Sequence, residues 1–170
     1  MGKEKKKFKY KFLVNFILKI LILCGIVYAL LTWVITIHRL DGNYMFPSVR
    51  DGDLCIFYKL DDCHLDDIVI YKNEDGQKKA GRVLAVGGQE IDFPEEGGII
   101  VNGYVPSETI TYQTFKSENS IIKFPLKLNE DELFIMNDFR SDTSDSREIG
   151  AINKTQLQGK LIFVLRRRGF

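Results

Sequence analysis

Histidine and cysteine are scarce, with two His and three Cys among 170 residues. A tetrahedral zinc site takes about four nitrogen or sulfur ligands. Cys63 and His64 supply only an adjacent pair, so neither a metal nor any other cofactor is expected. Cys24 falls in a long apolar run and reads as a small packing residue. Cys55 and Cys63 are spaced for a hairpin disulfide in an oxidising compartment, but spacing alone does not choose between a bridge and free thiols. A basic face on the folded part is also missing. Lys3, Lys5, Lys6, Lys7, Lys9, Lys11 and Lys19 stand against one acid, Glu4. Of the 24 basic and 23 acidic residues in the chain, 17 and 22 then remain for residues 20–170, a net of −5. Such a balance excludes a nucleic-acid footprint. The closing Arg166-Arg167-Arg168 reads as a solvated basic tip. There is no internal repeat.

What is present divides the chain in three. Residues 1–11 form a basic tail and residues 12–38 a membrane anchor. Residues 39–170 form an exterior domain. Ile20 to Ile37 is 18 residues without a formal charge, and the apolar character reaches back to Phe12. About 20 apolar residues cross a bilayer core of roughly 30 Å. Lys19 can snorkel to the headgroups, and Tyr10 and Trp33 suit the two interfaces. Lysines before the run put the N-terminus in the cytoplasm and the rest of the chain outside the plasma membrane, as a single-pass protein. The run is longer than a cleaved signal peptide's apolar region. No small-x-small site follows it in Thr36-Ile37-His38-Arg39-Leu40.

Beyond Asp41 the pattern turns to short alternating runs. Leu54–Tyr58, Ile68–Tyr71, Ala80–Val86, Ile99–Tyr104, Glu132–Met136 and Gly159–Leu165 predict strands. Asn73–Gly76 and Glu95–Gly98 predict turns, Gly87-Gly88 a strand end, and residues 105–125 are polar and weakly patterned. Outside the anchor no helix longer than about two turns is expected. The fold class is all-β, an irregular sandwich or barrel behind one N-terminal helix.

The stretch Gly42–Asp53 resembles the Ser-Met-x-Pro-Thr-Leu-x-x-Gly-Asp box of type I signal peptidases, serine peptidase family S26. Met45, Pro47, Ser48 (for Thr), Val49 (for Leu), Gly52 and Asp53 fall on the pattern, and Tyr44 stands at the nucleophile position. Asp53-Leu54 and Asp67-Ile68-Val69 match the family's two Gly-Asp-strand units, with Asp66 in place of the second Gly. Gly81–Gly88 resembles the Lys-Arg-Val-x-Gly-x-Pro-Gly box, with Gly81 for the Lys and Arg82 in step. Val101-Asn102-Gly103 matches a recurring hairpin. Asn137–Arg147 resembles Gly-Asp-Asn-Arg-x-x-Ser-x-Asp-Ser-Arg, with Gly150 in step after it.

The resemblance implies the signal-peptidase fold and a Ser–Lys site, a variant of the nucleophile-plus-base arrangement. Its Lys acts as a base because burial lowers an amine's pKa. A phenol at Tyr44 has a pKa of about 10 and reaches past the place of a Ser oxygen, while Gly81 offers no base. Ser48 is four residues on. Lys79 lies on the same strand face as Gly81, roughly 6.7 Å away. Thr143 corresponds to the family's Lys-orienting Ser, and Asp145 and Arg147 to its supporting ion pair. Two residues apart, that pair can face one way on an extended segment. Met45, Phe46, Pro47 and Ser48 are expected to line a peptide cleft, the alternative for the first three being that they merely pack the membrane-proximal face. The chain looks like the streptococcal signal-peptidase-like proteins that lack Ser and Lys and act in pilus assembly. That resemblance implies a non-catalytic accessory or chaperone-like factor whose partners are the membrane, pilin subunits and a sortase. The alternative is an active type I signal peptidase, a serine endopeptidase using Ser48.

Overall fold

The computed structural model describes residues 2–107, 110 and 112–166, with side chains from Lys11 onward. Of the basic tip, Arg167 and Arg168 lie outside the described residues. The chain forms two compact units, residues 1–35 and 36–170. In the first, helix α1 (Gly2–Ala29) passes into a π-helical turn over Leu30–Val34. Lys11–Val34 is long and apolar enough to cross a membrane. Its side chains, Phe12, Leu13, Phe16, Leu21 and Leu23 among them, are exposed, as a lipid-facing helix requires.

The helical stretch stops at Val34, short of the expected anchor end at residue 38. Ile35–Arg39 instead forms strand β1, so residues 36–38 belong to the β unit. Periodicity missed this because the apolar run continues across the boundary without a break, and β-branched Ile35, Thr36 and Ile37 favour the extended chain.

The second unit is mostly β. After β1 come β2 (Leu54–Tyr58), β3 (Ile68–Lys72), β4 (Lys78–Val86), β5 (Glu90–Asp92), β6 (Ile100–Val101), β7 (Leu126–Lys127), β8 (Glu132–Met136), β9 (Ile152–Asn153) and β10 (Leu157–Leu165). They form a seven-stranded sheet, β1-β2-β10-β3-β4-β8-β9, and a three-stranded one, β6-β5-β7. The longest helix of this unit among the described residues is α2 (Ser146–Ile149). The expected strands are present, the 99–104 one cut to two residues plus a bridge from Val101 to Tyr104. Asn102 and Gly103 both take positive φ there, as a type I′ turn demands. The two-residue strands β7 and β9 and the three-residue β5 were too short to leave a periodic signal.

Ala80 to Ala85 of β4 are all buried, because that strand has core on both faces. One cluster joins Leu40, Met45, Val49, Cys55, Phe57, Ile70 and Ala80; another joins Val69, Tyr71, Val83, Leu133, Ile135 and Ile152. At the end of β4 a Cβ on Gly87 would lie 2.3 Å from the Glu130 oxygen, so only glycine lets the two backbones approach so closely.

All three cysteines are free thiols. Cys55 packs in the first cluster while Cys63 lies against the second. Burial pushes the Cys55 thiol up to about 11, with Asp53 acting the same way. The thiolate is the reactive form. At pH 8 a maleimide is therefore expected to label Cys55 only after unfolding in urea, as read by mass spectrometry. Labelling of the native protein at the rate of a free cysteine would contradict this burial.

Candidate functional site

The loop after β1 is closed on itself by backbone bonds. Leu40 N donates to Asp53 O (3.0 Å) and Gly52 N to Leu40 O (2.8 Å), and the Asp53 carboxylate accepts from Arg50 N (3.0 Å). Met45 and Val49 are fully buried and hold the loop to the core. Met45 therefore does not line a cleft, contrary to the expectation from the box. It anchors the loop, and Phe46 and Pro47 remain at the surface, with the Arg50 guanidinium 5.7 Å from the Phe46 ring centroid.

Tyr44 is half-buried against the first core cluster. Its carbonyl accepts from Phe139 N (2.9 Å), joining the loop to the segment after β8. Its phenol oxygen accepts from Ala80 N at 3.5 Å. Burial raises the phenol pKa and the Ala80 amide partly offsets this, while Asp41, Cys55 and Asp142 push it further up. Gly81 is the next residue of β4, so the two positions singled out in the sequence meet across one site. A Cβ built on Gly81 would lie 2.4 Å from Ile135 Cγ2 and 3.3 Å from Met136 O. The space into which a side chain at 81 would grow is thus filled by Ile135 of β8.

Arg82, one residue on, is buried and holds the site's frame. It pairs bidentately with Asp138, Nε to Oδ1 and Nη2 to Oδ2, both at 2.7 Å. Nη1 also donates to Asp66 O (2.7 Å) and Oδ1 (3.1 Å). Burial works against the guanidinium charge, but Asp138 and Asp66 outweigh it and raise its pKa. Nη2 donates to Ser48 Oγ at 3.0 Å. Ser48 is therefore engaged by a permanent cation rather than a base. Lys79 is no closer to such a role, since its amine donates to Ser144 O at 3.3 Å.

Asp145 and Arg147 pair as expected, but not from an extended segment. Asp145 is the N-cap of α2, its Oδ1 accepting from Arg147 N (3.0 Å). The guanidinium, within the first turn, returns two bonds of 2.9 and 2.7 Å to the same carboxylate. Arg147 also donates to the carbonyls of Arg140 (2.8 Å) and Asp142 (2.6 Å). The Thr143 hydroxyl donates to Glu148 Oε1, which also accepts from Ser117 Oγ at 2.7 Å. Asp138 stood unremarked in a quoted box. Ser117, Glu148 and Ile135 carried no pattern that would have marked them.

A profile of the family "Signal peptidase, peptidase S26" matches residues 13–166. The chain belongs to this family. It is 25% identical to the signal peptidase I of Bacillus licheniformis over 179 residues, covering 96% of this chain and 94% of that protein. To the signal peptidase IB of Staphylococcus aureus (strain Mu50 / ATCC 700699) it is also 25% identical, over 90% of this chain and 89% of the relative. Among solved structures, a signal peptidase I from Enterococcus faecalis V583 superposes with a TM-score of 0.50 at 20% identity, covering 61% of this chain and 100% of that one. That likeness concerns the fold alone. The expected all-β signal-peptidase fold behind an N-terminal apolar helix is therefore the observed one, and the boxes that hold Tyr44, Gly81-Arg82 and Asn137–Arg147 come together at one site of it.

Proposed function

We propose that this protein is a membrane-anchored signal-peptidase-like factor that holds peptide without cutting it. The observation that carries this is the meeting of Tyr44 and Gly81, where the family's nucleophile and base would stand. A phenol replaces the primary alcohol, its oxygen is spent on the Ala80 amide, and Ile135 fills the room an amine stem would need. No nucleophile–base pair can form from these two residues. The apolar helix spans the membrane with its lysine-rich end in the cytoplasm and places the β unit outside.

In this reading the peptide lies along β4. β8 pairs with β4 from Arg82 onward, whereas β3 pairs with all of Lys78–Arg82. Lys78–Gly81 thus has a strand on one side only, and an unpaired edge of this kind accepts an extended peptide as an added strand. Its occupant is a pilin subunit presented to a sortase on the outer face of the membrane. That assignment follows the likeness to pilus-assembly members lacking Ser and Lys. In a deletion strain the expected result is normal maturation of secreted proteins with pilins left monomeric, read on an immunoblot of cell-wall extracts. Unprocessed preproteins together with intact pilus polymers would contradict it.

A further inference from the structure

The negative charge of the β unit is concentrated in one part of it. Residues 87–131 hold eight acidic residues and three lysines, a net of −5, and the remainder of residues 20–170 carries 14 of each sign. This is the segment that forms the three-stranded sheet of β5, β6 and β7. Two of its lysines are placed elsewhere: Lys127 stands opposite Glu90 in the β5–β7 register, and Lys116 lies over the Phe124 ring at 5.6 Å. Glu96 is exposed and joins no ion pair among the described residues.

Glu96 lines a cleft of about 380 Å³ whose other walls include Ile99, Val105, Pro106, Ile110 and Tyr112. Of the described residues that line it, Glu96 alone is charged. The turn that carries Glu96 is held on both sides, since Gly97 N donates to Pro94 O (3.0 Å) and Gly98 N to Thr114 O (2.6 Å). The Tyr112 ring is set edge-on against Phe139, with centroids 6.4 Å apart. Val105 and its neighbour Tyr104 are 80% and 78% exposed. Adjacent large apolar side chains left so bare beside a cleft mark an interaction surface.

We infer that this cleft is a docking site for a protein segment that offers a Lys or Arg side chain. The aliphatic stem lies along Val105 and Pro106, as long cationic side chains cover apolar surface and keep the charge at its edge. The ammonium or guanidinium reaches the Glu96 carboxylate and the face of Tyr112. The unpaired carboxylate and the surplus of acids in this segment select a cation. The apolar walls select a cation on a stem over a bare metal ion. None of these residues belongs to the Tyr44–Gly81 site, so the assignment does not depend on the peptide-holding role.

The test pans a displayed library of random dodecapeptides against the full-length protein in phosphatidylcholine nanodiscs at 0.15 M salt, after depletion on empty nanodiscs. The expected result is enrichment of Lys and Arg over Met and Gln at one position by about fivefold, the joint scale of an exposed ion pair and a cation–π contact. Glu96→Gln is expected to lower the ratio to about twofold, and Glu96→Gln with Tyr112→Leu to about one. Glu118→Gln removes the same charge from an exposed residue outside the cleft lining and is expected to leave the fivefold ratio unchanged. Enrichment of apolar residues with no basic position, or no enrichment at all, would overturn the assignment. So would an equal fall in Glu118→Gln and Glu96→Gln, which would reduce the effect to net charge. A preference that Glu96→Gln leaves intact would overturn the part given to Glu96.

Discussion

Replacing Arg147 with Met is expected to destabilise the β unit by about 3–5 kcal/mol, the cost of leaving one partner of a buried ion pair uncompensated. Neither side chain of the pair has meaningful solvent access, at 0% and 1% exposure, so water cannot take over the stranded Asp145 carboxylate. The guanidinium also serves the carbonyls of Arg140 and Asp142, and these would lose their donors at the same time. Asp145 is doubly committed, since its Oδ2 accepts from Asn137 N at 2.9 Å besides capping α2. Removing both charges with Asp145→Asn and Arg147→Met is expected to cost less than the sum of the single changes. A coupling of about 1–3 kcal/mol is expected in a double-mutant cycle followed by urea unfolding. Additive losses would show that the pair is not a unit.

The second large effect concerns activity. Tyr44→Ser with Gly81→Lys restores both residue types of the family's catalytic pair, yet the double variant is expected to stay inactive and less stable. The new Cβ would lie 2.4 Å from Ile135 Cγ2, and overpacking of this kind costs about 1–3 kcal/mol. Adding Ile135→Ala opens the space. The triple variant is expected to regain stability and to cleave a signal peptide on the order of 10²-fold faster than the double, the lower end of what a positioned base supplies. Activity in the double variant equal to that of the triple would show that Ile135 is no obstacle.

Most of the architecture was legible in the chain because it rests on local signals. Short apolar runs marked β2, β3, β4, β8 and β10, and Asn73–Gly76 marked a turn. Gly76 takes φ +76° with Gln77 N on the Asn73 side chain at 2.8 Å. The site was legible only where a residue belongs to a box. Tyr44, Gly81, Arg82, Asp145 and Arg147 could be placed in advance. The contacts that decide their roles are long-range and left no local trace. Ile135 reads as one more apolar strand residue until β8 packs it against Gly81. Glu148 and Ser117 meet at Thr143 from 31 residues apart, and nothing in the weakly patterned 105–125 segment foretold it. Met45 failed in the opposite sense. Its place in a box suggested a surface facing substrate, whereas burial of an unbranched apolar side chain is its ordinary fate. The anchor boundary shows the same limit, since an apolar run does not say where helix gives way to strand.

The central claim is that the cleft holds peptide without cutting it. Its most direct test is a cleavage assay with the full-length protein in proteoliposomes and a preprotein carrying an intact signal peptide. The outcome expected is no mature product above the rate in empty liposomes, because Tyr44 and Gly81 leave no nucleophile and no base. Mature product released at an enzymatic rate, and abolished by Ser48→Ala, would contradict the claim and identify the protein as a working serine peptidase.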